Sequence, residues 1–153
     1  MSRFLIIFSI IFSVLQLSAD QEIKSVRVID GDTVLAESRG TEIKIRLSEI
    51  DAPEMNQPYG TNSKKCLSGL IRESSSLKFK SDGQDNYGRS LGWLVADGKN
   101  LNYEMIKQGC AWVYDRYVIN KTIYSFQNGA RLKNIGLWNQ NNPIAPWIWR
   151  RNN

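Results

Sequence analysis

Ile43, Ile45 and Leu47 alternate with Lys44, Arg46 and Ser48. No other feature limits the fold so sharply, because a period of two requires a strand with one face buried and the other wet. Apolar segments around 23–29 and 33–36 precede it, separated by Asp30-Gly31-Asp32, and Ser38-Arg39-Gly40-Thr41 is a turn. These segments predict an antiparallel meander of three strands. From Tyr59 the period lengthens. Cys66, Leu67, Leu70 and Ile71 share a helical face, with Lys64, Lys65, Arg72 and Glu73 off it. Leu77 and Phe79 alternate with Lys78 and Lys80 as a fourth strand, and Arg89 to Ala96 is a fifth, ended by Asp97-Gly98. Asn100 caps a helix carrying Leu101, Met105 and Ile106, which Gly109 stops. A third helix is expected over 119–134, and Pro143 and Pro146 are expected to hold the tail extended.

Five strands, with a helix between the third and fourth and two more after the fifth, predict a mainly β, α+β fold. The architecture expected is a five-stranded Greek-key barrel of the OB type with three packed helices. The chain of 153 residues is long enough for one such domain with a sizeable core.

That domain is expected over 20–153. Arg3 is the only charge before Asp20, residues 4–17 are almost wholly apolar, and Leu17-Ser18-Ala19 supplies a small-residue end. These are the three parts of a secretory signal peptide, here 1–19, cut after Ala19. The apolar run is shorter than the roughly 20 residues of a spanning helix. Export to the periplasm or the medium is the expectation, with no stable membrane insertion after cleavage. In an oxidising compartment Cys66 and Cys110 can pair, closing a long loop. Two buried free thiols are the alternative.

The chain has no His. This removes Ser-His-Asp and Cys-His nucleophiles, a His base and His-ligated zinc or iron. Two Cys cannot make a four-ligand zinc finger. Any metal should be hard and oxygen-liganded, and acid-base work falls to Asp, Glu, Lys, Arg or Tyr.

The informative stretch is Asp30-Gly31-Asp32-Thr33 followed by Arg46-Leu47-Ser48-Glu49-Ile50-Asp51-Ala52-Pro53-Glu54. Asp32 sits where two strands join, and Asp51 and Glu54 where the third strand ends. In a closed barrel such ends can face one another. Three carboxylates brought together repel unless a cation lies between them. Oxygen ligands at about 2.3–2.6 Å suit Ca²⁺ best.

With these residues in order, the sequence resembles the staphylococcal nuclease (thermonuclease) family. The match runs through Val28-Ile29-Asp30-Gly31-Asp32-Thr33-Val34, Arg46-Leu47, Ile50-Asp51-Ala52-Pro53-Glu54 and Tyr59-Gly60. It continues with Asp85-Asn86-Tyr87-Gly88-Arg89, Asp97-Gly98, Asn102, Gln108-Gly109 and Gly136-Leu137-Trp138. The late Pro146-Trp147-Ile148-Trp149-Arg150 is similar to a tail of bacterial members. The resemblance implies Ca²⁺ bound by the Asp32 and Asp51 carboxylates and the Ala52 carbonyl. It implies Glu54 as general base or positioning group for the attacking water, and Arg46 and Arg89 gripping the scissile phosphate. It further implies a monomer that cleaves DNA and RNA at the 5′ P–O bond with low sequence specificity, leaving 3′-phosphate ends.

Some positions depart from the staphylococcal pattern. Asn86 stands where a phosphate-holding Lys is found. Of two nucleotide-flanking tyrosines, the first position is Asp115 and the second Tyr117, with Tyr114 close by. Tyr87, Tyr114 and Tyr117 remain the residues able to stack bases. Removing Arg3 leaves 19 basic against 15 acidic residues, a surplus that favours polyanions. Lys64, Lys65, Lys78, Lys80, Arg150 and Arg151 could line a strand path or form a solvated surface. A non-catalytic OB-fold nucleic-acid-binding module is the alternative; it predicts gaps at the acid or Arg positions, and there are none. A periplasmic OB protein for a small ligand or an envelope complex would not require Arg46, Glu54 and Arg89 together.

Overall fold

The computed structural model describes residues 20–153. The expected signal segment 1–19 lies outside the described residues. The first strand is two pieces, β1 (Gln21–Glu22) and β2 (Ser25–Val28), followed by β3 (Thr33–Ser38) and β4 (Thr41–Leu47). β2, β3 and β4 pair antiparallel, as the period-two segments predict. β6 (Leu77–Gln84) and β7 (Ser90–Ala96) form the other hairpin, and β7 lies parallel to β4. The sheet order is β1-β6-β7-β4-β3-β2.

Both edges of this sheet belong to one chain segment. Ile23 N–H donates to the Leu77 carbonyl at 2.9 Å, while Lys24 N–H donates to the Glu37 carbonyl at 3.0 Å. Neighbouring residues thus pair with opposite ends of the ladder, which curls the sheet into the OB barrel and removes its free edges. The interior is apolar, with Val34, Ile45, Leu47 and Leu94 wholly buried.

Helix α1 (Gly60–Arg72) crosses between β4 and β6 and turns Leu67 inward. α2 (Leu101–Lys107) follows the short β8 (Lys99–Asn100), and the Asn100 side chain caps it by accepting from Tyr103 N–H. Asn102, on the same helix, is fully buried. Its amide donates to the Ser48 and Gly92 carbonyls and accepts from Leu94 N–H, tying α2 to the end of β4 and the middle of β7. Cys66 and Cys110 form a disulfide with Cα atoms 6.4 Å apart, joining α1 to the chain after α2.

Two expectations need correction. The third helix, α3, runs Ile123–Leu132 and does not begin at 119. Ile119 and Asn120 N–H groups both donate to Glu49 Oε1, at 2.7 and 2.8 Å, which fixes that segment outside the helix. The tail is not extended throughout: Pro146–Asn152 is a fourth helix, α4, with Pro146 opening it. Proline suits a first helical position because the N–H it lacks would have no partner there. A small ladder, β5 (Ile50–Asp51) with β9 (Trp112–Val113), sits apart from the main sheet and pairs Asp51 with Trp112. Among the described residues, no helix is long and apolar enough to cross a membrane.

Candidate active site

Asp32 leaves the β2–β3 turn. Its own N–H donates to Asp30 Oδ1 at 3.0 Å, a local bond that shapes the bend. Gly31 packs the turn against Ala52 and α1; a Cβ there would overlap Ser63 Oγ and lie 2.7 Å from the Ala52 Cβ. Asp32 is buried at 6% exposure, and Asp51, held in the β5–β9 ladder, at 1%.

Arg46 joins these two acids. It is the ladder partner of Thr33, next to Asp32. Its Nε lies 3.1 Å from Asp32 Oδ1, and Nη2 donates to Asp51 Oδ1 at 3.0 Å. Nη1 donates to the Leu47 and Ile50 carbonyls at 2.6 and 2.9 Å. Arg46 thus faces the two acids and not open solvent. Asp32 Oδ2 accepts Ala52 N–H at 2.6 Å, bringing the Ala52 backbone against the acid. Burial pushes the Asp32 carboxyl up to about 7; Asp30 and Asp51 add to this, and Arg46 and the Ala52 N–H oppose it.

Glu54 follows Pro53, and its N–H donates to Gln57 Oε1 at 3.1 Å. Its carboxylate reaches the cluster through Arg150 of α4, a contact that sequence reasoning missed. Arg150 Nη1 donates to Glu54 Oε1 at 2.7 Å and to Asp51 Oδ1 at 3.2 Å, and Nη2 to Asp51 Oδ2 at 2.8 Å. The tail motif is visible in the sequence, which leaves its arginine open between a strand path and a solvated surface. Only the turn at Pro146 into a helix brings it back across the fold. Among the described residues, no three acids stand as a ready ligand cage; Arg46 and Arg150 bond to them instead.

Arg89 precedes Ser90, which pairs with Ile45, so it enters the sheet beside β4. Alternation from Leu91, the partner of Arg46, puts Arg89 on the Arg46 face. Its Nε donates to Asp85 Oδ2 at 2.7 Å, and its N–H to Asp85 Oδ1 at 3.0 Å. Among the described residues its polar partner is Asp85, not one of the three acids. Tyr87 is 86% exposed, with the Arg89 guanidinium 5.7 Å from its ring centre. Tyr114 has one neighbour stacked on it, Trp147, at 5.6 Å and 15°, and Tyr117 meets it edge-on at 5.1 Å. Of the three expected stacking residues, Tyr87 and Tyr117 thus remain exposed, and Tyr114 is packed.

A family model, staphylococcal nuclease homologue, matches residues 44–140. An uncharacterized endonuclease of Haemophilus influenzae is 41% identical over 145 residues, 93% of this chain and 81% of that protein. An uncharacterized endonuclease of Escherichia coli is 38% identical over 151 residues, 98% of each chain. A micrococcal nuclease of Shigella flexneri is 34% identical over 145 residues, 87% of this chain and 82% of that one. On these matches, and on the barrel that holds the Asp-Gly-Asp turn against Arg46 and Asp51, the chain belongs to the staphylococcal nuclease family.

Proposed function

We propose that the protein is an exported, calcium-dependent endonuclease that hydrolyses the phosphodiester bonds of DNA and RNA with little sequence preference. The observation that carries this reading is the meeting of Asp32 and Asp51 on Arg46, with Glu54 tied to the same cluster. The relatives named endonuclease and nuclease support it.

The donor set fits a hard cation. It is all oxygen, and the Asp32, Asp51 and Glu54 carboxylates outnumber by one the two guanidiniums bonded to them, Arg46 and Arg150. Asp32, Asp51 and the Ala52 carbonyl would hold Ca²⁺, which when bound would polarise the phosphate and offset the charge that builds on it. Glu54 takes a proton from water, and the water oxygen bonds to phosphorus. The bond from phosphorus to the 5′ oxygen breaks, and that oxygen takes a proton from solvent, leaving a 3′-phosphate and a 5′-hydroxyl. Arg89, with both Nη groups uncommitted to Asp85, binds the non-bridging oxygens, where a planar, permanently charged fork is most effective. Arg46 sets the spacing of the two acids and has a single Nη2 hydrogen left for the same phosphate. Tyr87 and Tyr117 offer faces on which any base can stack.

Digestion of plasmid and RNA by the purified protein in Ca²⁺, Mg²⁺ or EDTA tests this reading. Cutting in Ca²⁺, abolished by EDTA and lowered about 10²–10³-fold in Arg89→Ala, is expected. Equal cutting in EDTA, or full activity in both Glu54→Gln and Arg89→Ala, contradicts it. Binding without cutting in every metal would favour a nucleic-acid-binding module. The bridged Cys66–Cys110 pair supports export. Mass spectrometry should find Asp20 or a neighbour at the N-terminus of the secreted protein, and an intact Met1 would oppose cleavage.

A further inference from the structure

We propose that Arg150 grips the substrate: it is a third guanidinium, delivered by α4, that binds the phosphodiester beside Asp51 and Glu54. This rests on the nuclease reading above.

Helix α4 is docked through specific contacts. Trp147 and Arg150 are three residues apart and share one face of it. Trp147 stacks on Tyr114 and meets Trp112 edge-on at 5.8 Å. Trp112 is the ladder partner of Asp51. The helix therefore sets its aromatic residue on one member of a strand pair and its arginine on the other. Trp149 Nε1 adds a bond to Asn56 Oδ1 at 3.2 Å. A helix of 7 residues does not hold itself in water, so its order comes from this docking.

The three arginines are committed to different degrees. Arg46 is largely saturated, with Nε and both Nη groups bonded to Asp32, Asp51 and two carbonyls. It is a buried strut between acids. The Arg150 side chain is 41% exposed, and its two protein partners are carboxylates that a divalent cation would claim. Three carboxylates exceed the two guanidiniums bonded to them by one negative charge. A divalent cation turns that into one positive charge, and a phosphodiester monoanion then neutralises it. Once the carboxylate oxygens turn to the cation, the Arg150 fork needs another planar pair of oxygens. The non-bridging oxygens of a phosphate supply it with the same two-bond geometry.

The test compares wild type, Arg150→Ala and Arg150→Lys in three measurements. These are kcat/KM on single-stranded DNA in Ca²⁺, binding of an oligothymidylate in a Glu54→Gln background, and calorimetric Ca²⁺ affinity without nucleic acid. Arg150→Ala should lower kcat/KM by about 10²–10³. It should weaken oligothymidylate binding about tenfold, and tighten Ca²⁺ about fivefold because a competing cation is gone. Arg150→Lys should recover part of the rate, since it keeps the charge and loses the fork. If Arg150→Ala does not fold, Arg150→Lys carries the test with a rate loss of about tenfold. Wild-type kcat/KM in Arg150→Ala would overturn the proposal, and so would a rate loss accompanied by weaker Ca²⁺ binding, the mark of a purely structural strut. If wild type itself does not cut in Ca²⁺, the nuclease reading fails. In that case unchanged oligothymidylate binding in Arg150→Ala overturns the role of Arg150 separately.

Discussion

Asp32 and Asp51 share one guanidinium: Arg46 Nε lies 3.1 Å from the first and Nη2 3.0 Å from the second. The pair of acids is therefore set by a strand register, Thr33 against Arg46, and by a β5–β9 ladder that holds Asp51 in place. The Arg46 side chain is 13% exposed and Asp51 2%, so neither charge is well hydrated.

Arg46→Ala should destabilise the protein by roughly 3–5 kcal/mol in EDTA, because it strands the buried Asp32 carboxyl and leaves Asp51 with Arg150 alone. Ca²⁺ should restore part of that loss, since a cation on the same acids replaces the missing charge. Thermal melts in EDTA and in Ca²⁺ measure both. An unchanged melting temperature would mean that Arg46 is not the strut.

Glu49 pins the segment before α3. Its Oε2 accepts Trp93 Nε1 at 2.9 Å and the Tyr103 hydroxyl at 3.0 Å, while Oε1 takes the Ile119 and Asn120 N–H groups. Burial alone would raise its carboxyl, but these donors, led by Asn120 N–H, hold it below its ordinary 4.5. A lowered folded value means the stabilisation is complete above about pH 4.5 and is lost as pH falls through the folded value. Glu49→Gln turns an amide NH₂ toward two of the donors. It should cost about 2–4 kcal/mol at pH 7 and flatten the acid limb of a stability-against-pH curve. An acid limb identical to wild type would contradict this role.

Reducing the Cys66–Cys110 bridge, or replacing both with Ser, opens a loop spanning 44 positions. The loop-closure model gives a loss of about 4 kcal/mol. Urea unfolding with and without reductant checks it; superimposable curves would show that the bridge adds nothing.

Gly31→Ala places a methyl where Ser63 Oγ and the Ala52 Cβ already stand. Overpacking of this kind should cost about 1–3 kcal/mol. It should also weaken Ca²⁺ binding, because the turn carries Asp32. Calorimetry and a melt on one sample separate the two effects. Full stability with full Ca²⁺ affinity would show that the turn yields.

The barrel was legible because its strands are amphipathic: Ile45 and Leu47 are wholly buried where the period of two puts them. The Asn100 cap was legible for an equally local reason. Asp32, Arg46, Asp51 and Glu54 were visible as a cluster because they crowd one short span. What stayed hidden depends on distant partners. Glu49 looked like one more loop acid, and its donors lie 44 to 71 positions away. Arg150 lies 96 positions from Glu54 and 99 from Asp51, beyond any local pattern. The late start of α3 follows from Glu49, and the helical tail from the packing of Trp147 on Tyr114.

Diffraction from crystals grown with Ca²⁺ tests the central claim most directly. The account predicts an ion about 2.3–2.6 Å from carboxylate oxygens of Asp32 and Asp51 and from the Ala52 carbonyl, with Arg150 moved off Asp51. An ion bound elsewhere, or crystals in saturating Ca²⁺ with Arg150 still holding both Asp51 and Glu54, would contradict it.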